Sequence, residues 1–223
     1  LALDTRVLGA PTAPDPNLPA FVHATVADGG TLVVTQTGEL LRLRLPRLTP
    51  ETVPLRLPAN ATPVATATYQ GRLYVLAPSA NQLWRFDRAG SGFGSPAAWL
   101  DDDTIRLATA VDLAVDGDVY VLHADGRLAK LTSGVSVPFA LETVDPPLQR
   151  ASKLKLVGDA LFVLDPSQRR VVVWGKDGAF RTQYLTPTLD GLKDFVVLEK
   201  DKKSTSSPAA RSLASRCGRM ISW

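Results

Sequence analysis

The stretch VDLAVDGDVYVLHADGRLAKL, Val111–Leu131, contains three short apolar runs separated by two Asp-Gly pairs. Val111–Val115 alternates apolar and polar residues at its start, Val119-Tyr120-Val121-Leu122 is apolar throughout, and Leu128-Ala129-Lys130-Leu131 mixes the two. Asp116-Gly117 and Asp125-Gly126 supply the positive φ that a tight reversal needs. No apolar stripe at i, i+3, i+4 and i+7 persists, so the segment reads as three antiparallel strands and not as helix.

The same arrangement recurs on both sides of this stretch. Second-strand cores stand at Leu32-Val33-Val34-Thr35, Leu73-Tyr74-Val75-Leu76, Val119–Leu122 and Leu161-Phe162-Val163-Leu164, with spacings of 41, 46 and 42 residues. Gly29-Gly30, Gln70-Gly71, Asp116-Gly117 and Gly158-Asp159 precede them. First strands are expected at Ala24–Val26, Ala65–Ala67, Val111–Val115 and Leu154–Val157. Third strands are expected at Leu40–Leu43, Leu83–Phe86, Leu128–Leu131 and Val171–Trp174. Less regular fourth runs follow at Val53–Leu57, Ala97–Leu100, Val137–Leu141 and Arg181–Leu185. A fifth unit begins at Asp194–Leu198.

A period of 40–45 residues with four strands per unit predicts an all-β chain folded as a β-propeller. One four-stranded sheet cannot bury both of its faces, so neighbouring sheets must stack, and the second strand must be apolar on both sides. The expected blades are 21–60, 61–107, 108–147 and 148–191, with a partial blade at 192–200. A Pro-rich linker is expected at 1–20 and a basic tail at 201–223. If the intact ring has six blades, this array is incomplete, and an open blade edge would invite self-association.

The segments Val111–Leu131, Gly71–Gly90 and Asp159–Phe180 resemble NHL-type blades: a first strand, an Asp-Gly turn, an aromatic-bearing second strand, a polar turn and a third strand. The resemblance covers residues 21–200. It implies a propeller scaffold, and such scaffolds serve as enzymes, RNA binders and interaction modules. The chain is also similar to propellers attached to membrane-linked bacterial signalling proteins, including phosphatase-like ones, although nothing in it matches a phosphatase metal site.

The 223 residues are 45% hydrophobic and 21% charged, which is ordinary globular composition. One Cys excludes a disulfide framework and a multi-Cys zinc site. The net charge of +3 is concentrated in the tail. Lys202, Lys203, Arg211, Arg216 and Arg219 stand there against Asp201, which leaves twenty basic and twenty-one acidic residues in the body. A neutral body argues against nucleic acid as a partner. No apolar run reaches the ~18 residues that a membrane-spanning helix needs. The chain begins at Leu1, and its start reads as a processed or truncated one.

The next core is due near residue 204, where the polar run Ser204–Ala210 stands. With silent bases chosen freely, the codons for this run, read one frame over, can encode Ile-Tyr-Leu-Leu-Ala-Gly-Ser. Two expectations therefore stand for 201–223: a disordered Ser-rich tail, or a segment displaced by a frameshift near Lys202 or Lys203.

Candidate chemistry is sparse. Asp112 alternates with Val111, Leu113 and Val115 and is expected to face the central channel. Phe93 and Trp99 sit in the long second-blade connection and are the aromatics expected at a partner surface. Arg42, Arg44, Arg47 and Arg56 form a basic cluster on an outer strand, and Arg42 and Arg44 are candidates for an anionic partner. His23 and His123 lack matched partners and read as structural. Asp101-Asp102-Asp103 reads as a solvated loop without an EF-hand pattern. Gly90–Gly94 has the glycines of a loop without a following helix, and no GxSxG elbow is present. Trp84, Trp174 and Tyr74 fall on core columns. Asn60-Ala61-Thr62 fits a glycosylation sequon.

No catalytic residue, cofactor or metal site is assigned. The expected function is a non-catalytic interaction or ligand-sensing module for a protein or small-molecule partner, part of a larger, signalling-related protein. The alternative is a lactonase-like hydrolase with a channel metal, which needs carboxylates or His converging on the axis from several blades.

Overall fold

The computed structural model describes residues 21–27, 30–35, 37–44, 49–185, 192–198 and 219–222. Four four-stranded antiparallel sheets follow one another along the chain. The first is β1 (Phe21–Ala27), β2 (Gly30–Thr35), β3 (Leu40–Arg44) and β4 (Thr49–Val53). The second is β5 (Ala65–Tyr69), β6 (Arg72–Ala77), β7 (Gln82–Ala89) and β8 (Gly92–Ala98). The third is β9 (Ala110–Val115), β10 (Val119–His123), β11 (Leu128–Thr132) and β12 (Val135–Val137). The fourth is β13 (Lys153–Val157), β14 (Ala160–Asp165), β15 (Arg170–Gly175) and β16 (Phe180–Leu185). A two-stranded sheet of β17 (Phe195–Leu198) and β18 (Arg219–Ser222) completes the described strands.

Within each sheet the strands lie in sequence order, and the first strands pack in succession: β1 on β5, β5 on β9, β9 on β13 and β13 on β17. This is a β-propeller of four blades, with the first strand of each blade innermost. The second strands explain its cohesion, because alternate residues feed opposite interfaces. Leu73 and Val75 join Leu32, Val34 and Leu40 between blades one and two, while Tyr74 and Leu76 face Leu113, Val119 and Val121 of blade three. Tyr120 and Leu122 meet Leu161, Val163 and Trp174 of blade four, whose Phe162 and Leu164 pack on Leu192 and Phe195. Each fully buried aliphatic or aromatic side chain contributes about 1.5–3 kcal/mol of transfer free energy. These interfaces therefore hold the blades face to face.

The β5–β6 hairpin turns through Gln70 (φ 49°) and Gly71 (φ 74°), two consecutive left-handed residues as a two-residue reversal requires. Outside the hairpins, the chain leaving one blade is strapped to the next. Asp101 N–H donates to Gly134 O (2.9 Å), in the β11–β12 turn of blade three. Glu142 N–H donates to Gly178 O (2.8 Å), in the equivalent β15–β16 turn of blade four. A Cβ on Gly178 would stand 2.1 Å from Ala140 O, so this close approach requires glycine.

The fourth strands depart from the sequence reading. β4, β8 and β12 begin earlier than the apolar runs suggested, because pairing follows backbone register from the preceding turn and not hydrophobicity on an exposed edge. Gly92–Gly94, expected in a loop, starts β8. In the tail, expected to be irregular, Arg219–Ser222 is a strand whose Ile221 lies opposite Val196. The strand pairing with β17 is thus 219–222, whereas the spacing placed it near 204. Residues 1–20, Arg47, Lys202, Lys203 and the run Ser204–Ala210 lie outside the described residues. No helix among the described residues is long and apolar enough to cross a membrane.

Candidate functional site

An innermost strand has one edge paired to its blade and the other turned to the propeller axis, where its N–H groups lack a ladder partner. Register identifies the residue that each blade places at this point. Opposite Val34, Leu76, Leu122 and Leu164 stand His23, Ala65, Asp112 and Lys153. This column holds a histidine, a carboxylate and an ammonium from three blades.

The structure joins two of them. His23 Nε2 donates to Asp112 Oδ1 at 3.0 Å. The Thr66 N–H donates to His23 Nδ1 at 3.2 Å, and the Thr66 hydroxyl lies 3.3 Å from the same nitrogen. A backbone N–H can only donate, so Nδ1 is the acceptor and the ring proton resides on Nε2. Asp112 Oδ1 also accepts the Leu113 N–H (2.9 Å), and Oδ2 accepts the Leu154 N–H of blade four (2.8 Å). The network spans four inner strands. Asp194 repeats the first half of the pattern by accepting the Phe195 N–H (2.8 Å), and it pairs with Lys155 at 3.0 Å.

Asp112 is fully buried and His23 is 6% exposed. Burial pushes the Asp112 carboxyl up. The His23 hydrogen bond, the Lys153 ammonium and the Leu154 N–H together outweigh it, and the group is held below the usual carboxylate range. Asp112 therefore lies on the inner strand as expected, but it is enclosed, with both oxygens engaged, and does not face an open channel. His23, read as lacking a matched partner, has two. The signal that could have paired them is the register: both stand opposite the same second-strand column.

His123 ends the second strand of blade three, where the other blades have Thr35, Ala77 and Asp165. It is buried, and its Nδ1 meets the Thr109 hydroxyl at 2.9 Å. Burial, helped by Arg127, holds its imidazole below the ordinary histidine value. It does not join His23. At the same position of blade four, Asp165 and Arg170 form an ion pair (3.5 Å) that is wholly buried. Asp165 accepts the Ser167 hydroxyl, and Arg170 reaches Gln183 and Pro146 O.

The remaining acids serve turns and strands. Asp102 accepts both the hydroxyl and the N–H of Thr104, which keep its carboxyl low, and lies in the exposed 101–104 loop. Asp116 pairs with Lys176, and Asp118 holds Thr132 and Lys130. Among the described residues no three His, Cys, Asp or Glu side chains converge as metal ligands would.

The candidate binding residues separate. Trp99, expected at the surface, packs edge-on against Tyr74 with centroids 6.0 Å apart and adjoins the interface of blades two and three. Arg44 is exposed and pairs with Glu51 at 2.8 Å. Arg42, expected on a solvated strand, is buried, because it faces blade two alongside Leu40. Phe93 is half-buried against the same interface. Arg42 and Phe93 come together on one cleft of about 650 Å³ between blades one and two. A second, shallower depression of about 680 Å³ lies at the opposite end of the strands, between Val111, Ala151, Ser152, Ser167 and Leu192.

No family model matches this chain, and no curated protein sequence matches it. Solved structures do. A streptogramin B lyase matches with TM-score 0.54 at 16% identity, over 77% of this chain and 57% of its own. YCF48 bound to D1 peptide matches with TM-score 0.54 at 11% identity, over 81% and 60%. The WD40 β-propeller domain of Doa1 matches with TM-score 0.51 at 10% identity, over 80% and 58%. The chain thus spans less than two thirds of each. At these identities the likeness establishes the β-propeller fold alone.

Proposed function

We propose that the chain is a non-catalytic, ligand-sensing β-propeller module with NHL-like blades, working within a larger protein through its loop faces and inter-blade clefts. The observation that carries this reading is the state of the axial pair. A general acid or base must present a free lone pair or proton to a substrate. A metal ligand must present a free lone pair. His23 spends both nitrogens on groups of the inner strands, while Asp112 accepts the His23, Leu113 and Leu154 N–H groups and is fully buried, which closes it to substrate and ion. The pair thus acts as an inter-blade tie. The fold is neutral on this point, since the propellers it resembles include a lyase and a peptide-bound protein.

Metal retention tests the reading against a channel-metal hydrolase. The full chain, purified without tag contact and dialysed against Zn²⁺, Mn²⁺ or Ca²⁺, is expected to retain no stoichiometric ion that depends on Asp112. One equivalent held by the parent and lost in a folded Asp112→Asn variant would overturn it.

A further inference from the structure

Blades two and three, and blades three and four, are strapped at the end where the third and fourth strands turn. Among the described residues, no equivalent backbone bond joins the connection 54–57 to the β7–β8 hairpin. A cleft of about 650 Å³ opens at this end of blades one and two, walled by Arg42 of blade one and by Tyr69, Arg88, Ser91 and Phe93 of blade two.

Arg42 is the unusual member. It is 8% exposed, and its Nε is buried without an acceptor. Its cross-strand neighbour Glu51 is engaged by Arg44 through Nε (2.9 Å) and Nη2 (2.8 Å). A buried charged donor left unpaired is costly, and folded proteins leave few of them. Among the described residues no Asp or Glu lines the cleft, while Tyr69 and Phe93 supply flat apolar surface. The Thr68 hydroxyl is committed to Val26 O at 2.6 Å, and Arg42 is the buried cation of the cleft wall. The volume suits a small molecule.

We propose, resting on the binding-module reading, that this cleft takes a small organic oxyanion with an aromatic body. The Arg42 guanidinium receives the carboxylate or phosphate, whose geometry a guanidinium fork matches, and Phe93 and Tyr69 flank the ring.

Calorimetric titration of the full chain with benzoate, phenyl phosphate and benzyl alcohol tests this. At least one anion is expected to bind with one-to-one stoichiometry and a Kd on the order of 1 mM, and the alcohol not to saturate. Which anion binds distinguishes carboxylate from phosphate chemistry. Arg42→Gln should weaken binding about tenfold or more, and Arg127→Gln, on an exposed turn of blade three away from the cleft, should leave it unchanged. If Arg42→Gln does not fold, Ser91→Trp, on the exposed hairpin, decides by filling the cleft. Absence of saturable binding by both anions, or binding undiminished in Arg42→Gln or in Ser91→Trp, would overturn the assignment. The module reading falls separately, only on an Asp112-dependent metal.

Discussion

His23 of the first blade and Asp112 of the third are joined across the propeller axis by a 3.0 Å hydrogen bond, with neither side chain appreciably exposed. The two residues are 89 positions apart in sequence. The carboxylate also accepts the Leu154 N–H of blade four and His23 the Thr66 N–H of blade two, so this one pair fixes the inner strands of four blades in relation to one another. The energetic demand comes from the strands themselves: inner-edge N–H groups have no ladder partner, and leaving them buried and unmade is expensive.

Removing the carboxylate should therefore be far worse than neutralising it. Asp112→Ala strands the His23, Leu113 and Leu154 N–H groups and is expected to cost about 3–5 kcal/mol. Asp112→Asn keeps one acceptor oxygen and should lose clearly less. Urea unfolding midpoints order the variants. Equal losses would mean that the charge, and not the acceptor capacity, sustains the tie.

The same group sets an acid limit. The folded Asp112 carboxyl lies below its ordinary value of 3.8. Above that value its contribution is fully present, since both folded and unfolded chains hold the carboxylate. As the pH falls below 3.8, the unfolded chain takes up the proton first and the contribution fades until the folded group titrates. The parent should lose melting temperature more steeply between pH 4 and pH 2 than Asp112→Asn does, by differential scanning calorimetry.

His123 works at a milder pH. Its folded value is depressed below 6.5, chiefly by burial. Its contribution is therefore complete above pH 6.5 and declines as the pH drops below that value, because the unfolded chain then binds protons that the folded chain does not. His123→Gln should remove this slope while leaving the acid limit set by Asp112 in place. A melting-temperature profile that keeps its slope below 6.5 in the variant would assign the effect elsewhere.

The buried ion pair of blade four can be tested against its own relative in the chain. Where blade four pairs Asp165 with Arg170, blade two pairs Ala77 with Gln82, at the same register and beside the same kind of Pro-led turn. Arg170→Gln alone leaves a buried carboxylate without its cation and should cost about 3–5 kcal/mol. Adding Asp165→Ala rebuilds the blade-two solution and should recover most of that loss. A double variant as unstable as the single one would show that Gln183 and Pro146 O, left without the guanidinium, carry the penalty.

What the sequence made legible follows from which residues face two neighbours. Second-strand cores such as Val119–Leu122 are buried on both sides, so their composition is constrained at every position and their 41–46-residue spacing stands out. Fourth strands have an exposed edge, and Gly92–Gly94 could enter β8 without any apolar signature. The His23–Asp112 tie, to which only strand register points, was hard to read for a different reason. Its partners are backbone N–H groups of Thr66 and Leu154, which no side-chain pattern reports. Arg42 was misplaced because its strand alternates correctly, but the face it occupies turns toward blade two and not toward solvent.

Gly178, the turn glycine that abuts an inter-blade strap, should be less replaceable than Gly71 at the open tip of the β5–β6 hairpin. Gly178 has φ +87°, and a Cβ there would stand 2.1 Å from Ala140 O, the backbone that links blades three and four. Gly71 has φ +74°, but a Cβ there would meet nothing within 4 Å. Gly71→Ala bears only the left-handed backbone penalty, about 1–2 kcal/mol. Gly178→Ala bears that penalty and must also push the strap away, breaking the Glu142 N–H to Gly178 O bond, so its loss should exceed that of Gly71→Ala by a further 1 kcal/mol or more, roughly. Amide exchange gives the sharper readout: Gly178→Ala should expose the Glu142 N–H, while Gly71→Ala leaves it protected. Protection of Glu142 retained in Gly178→Ala would mean that the strap is not held by this contact.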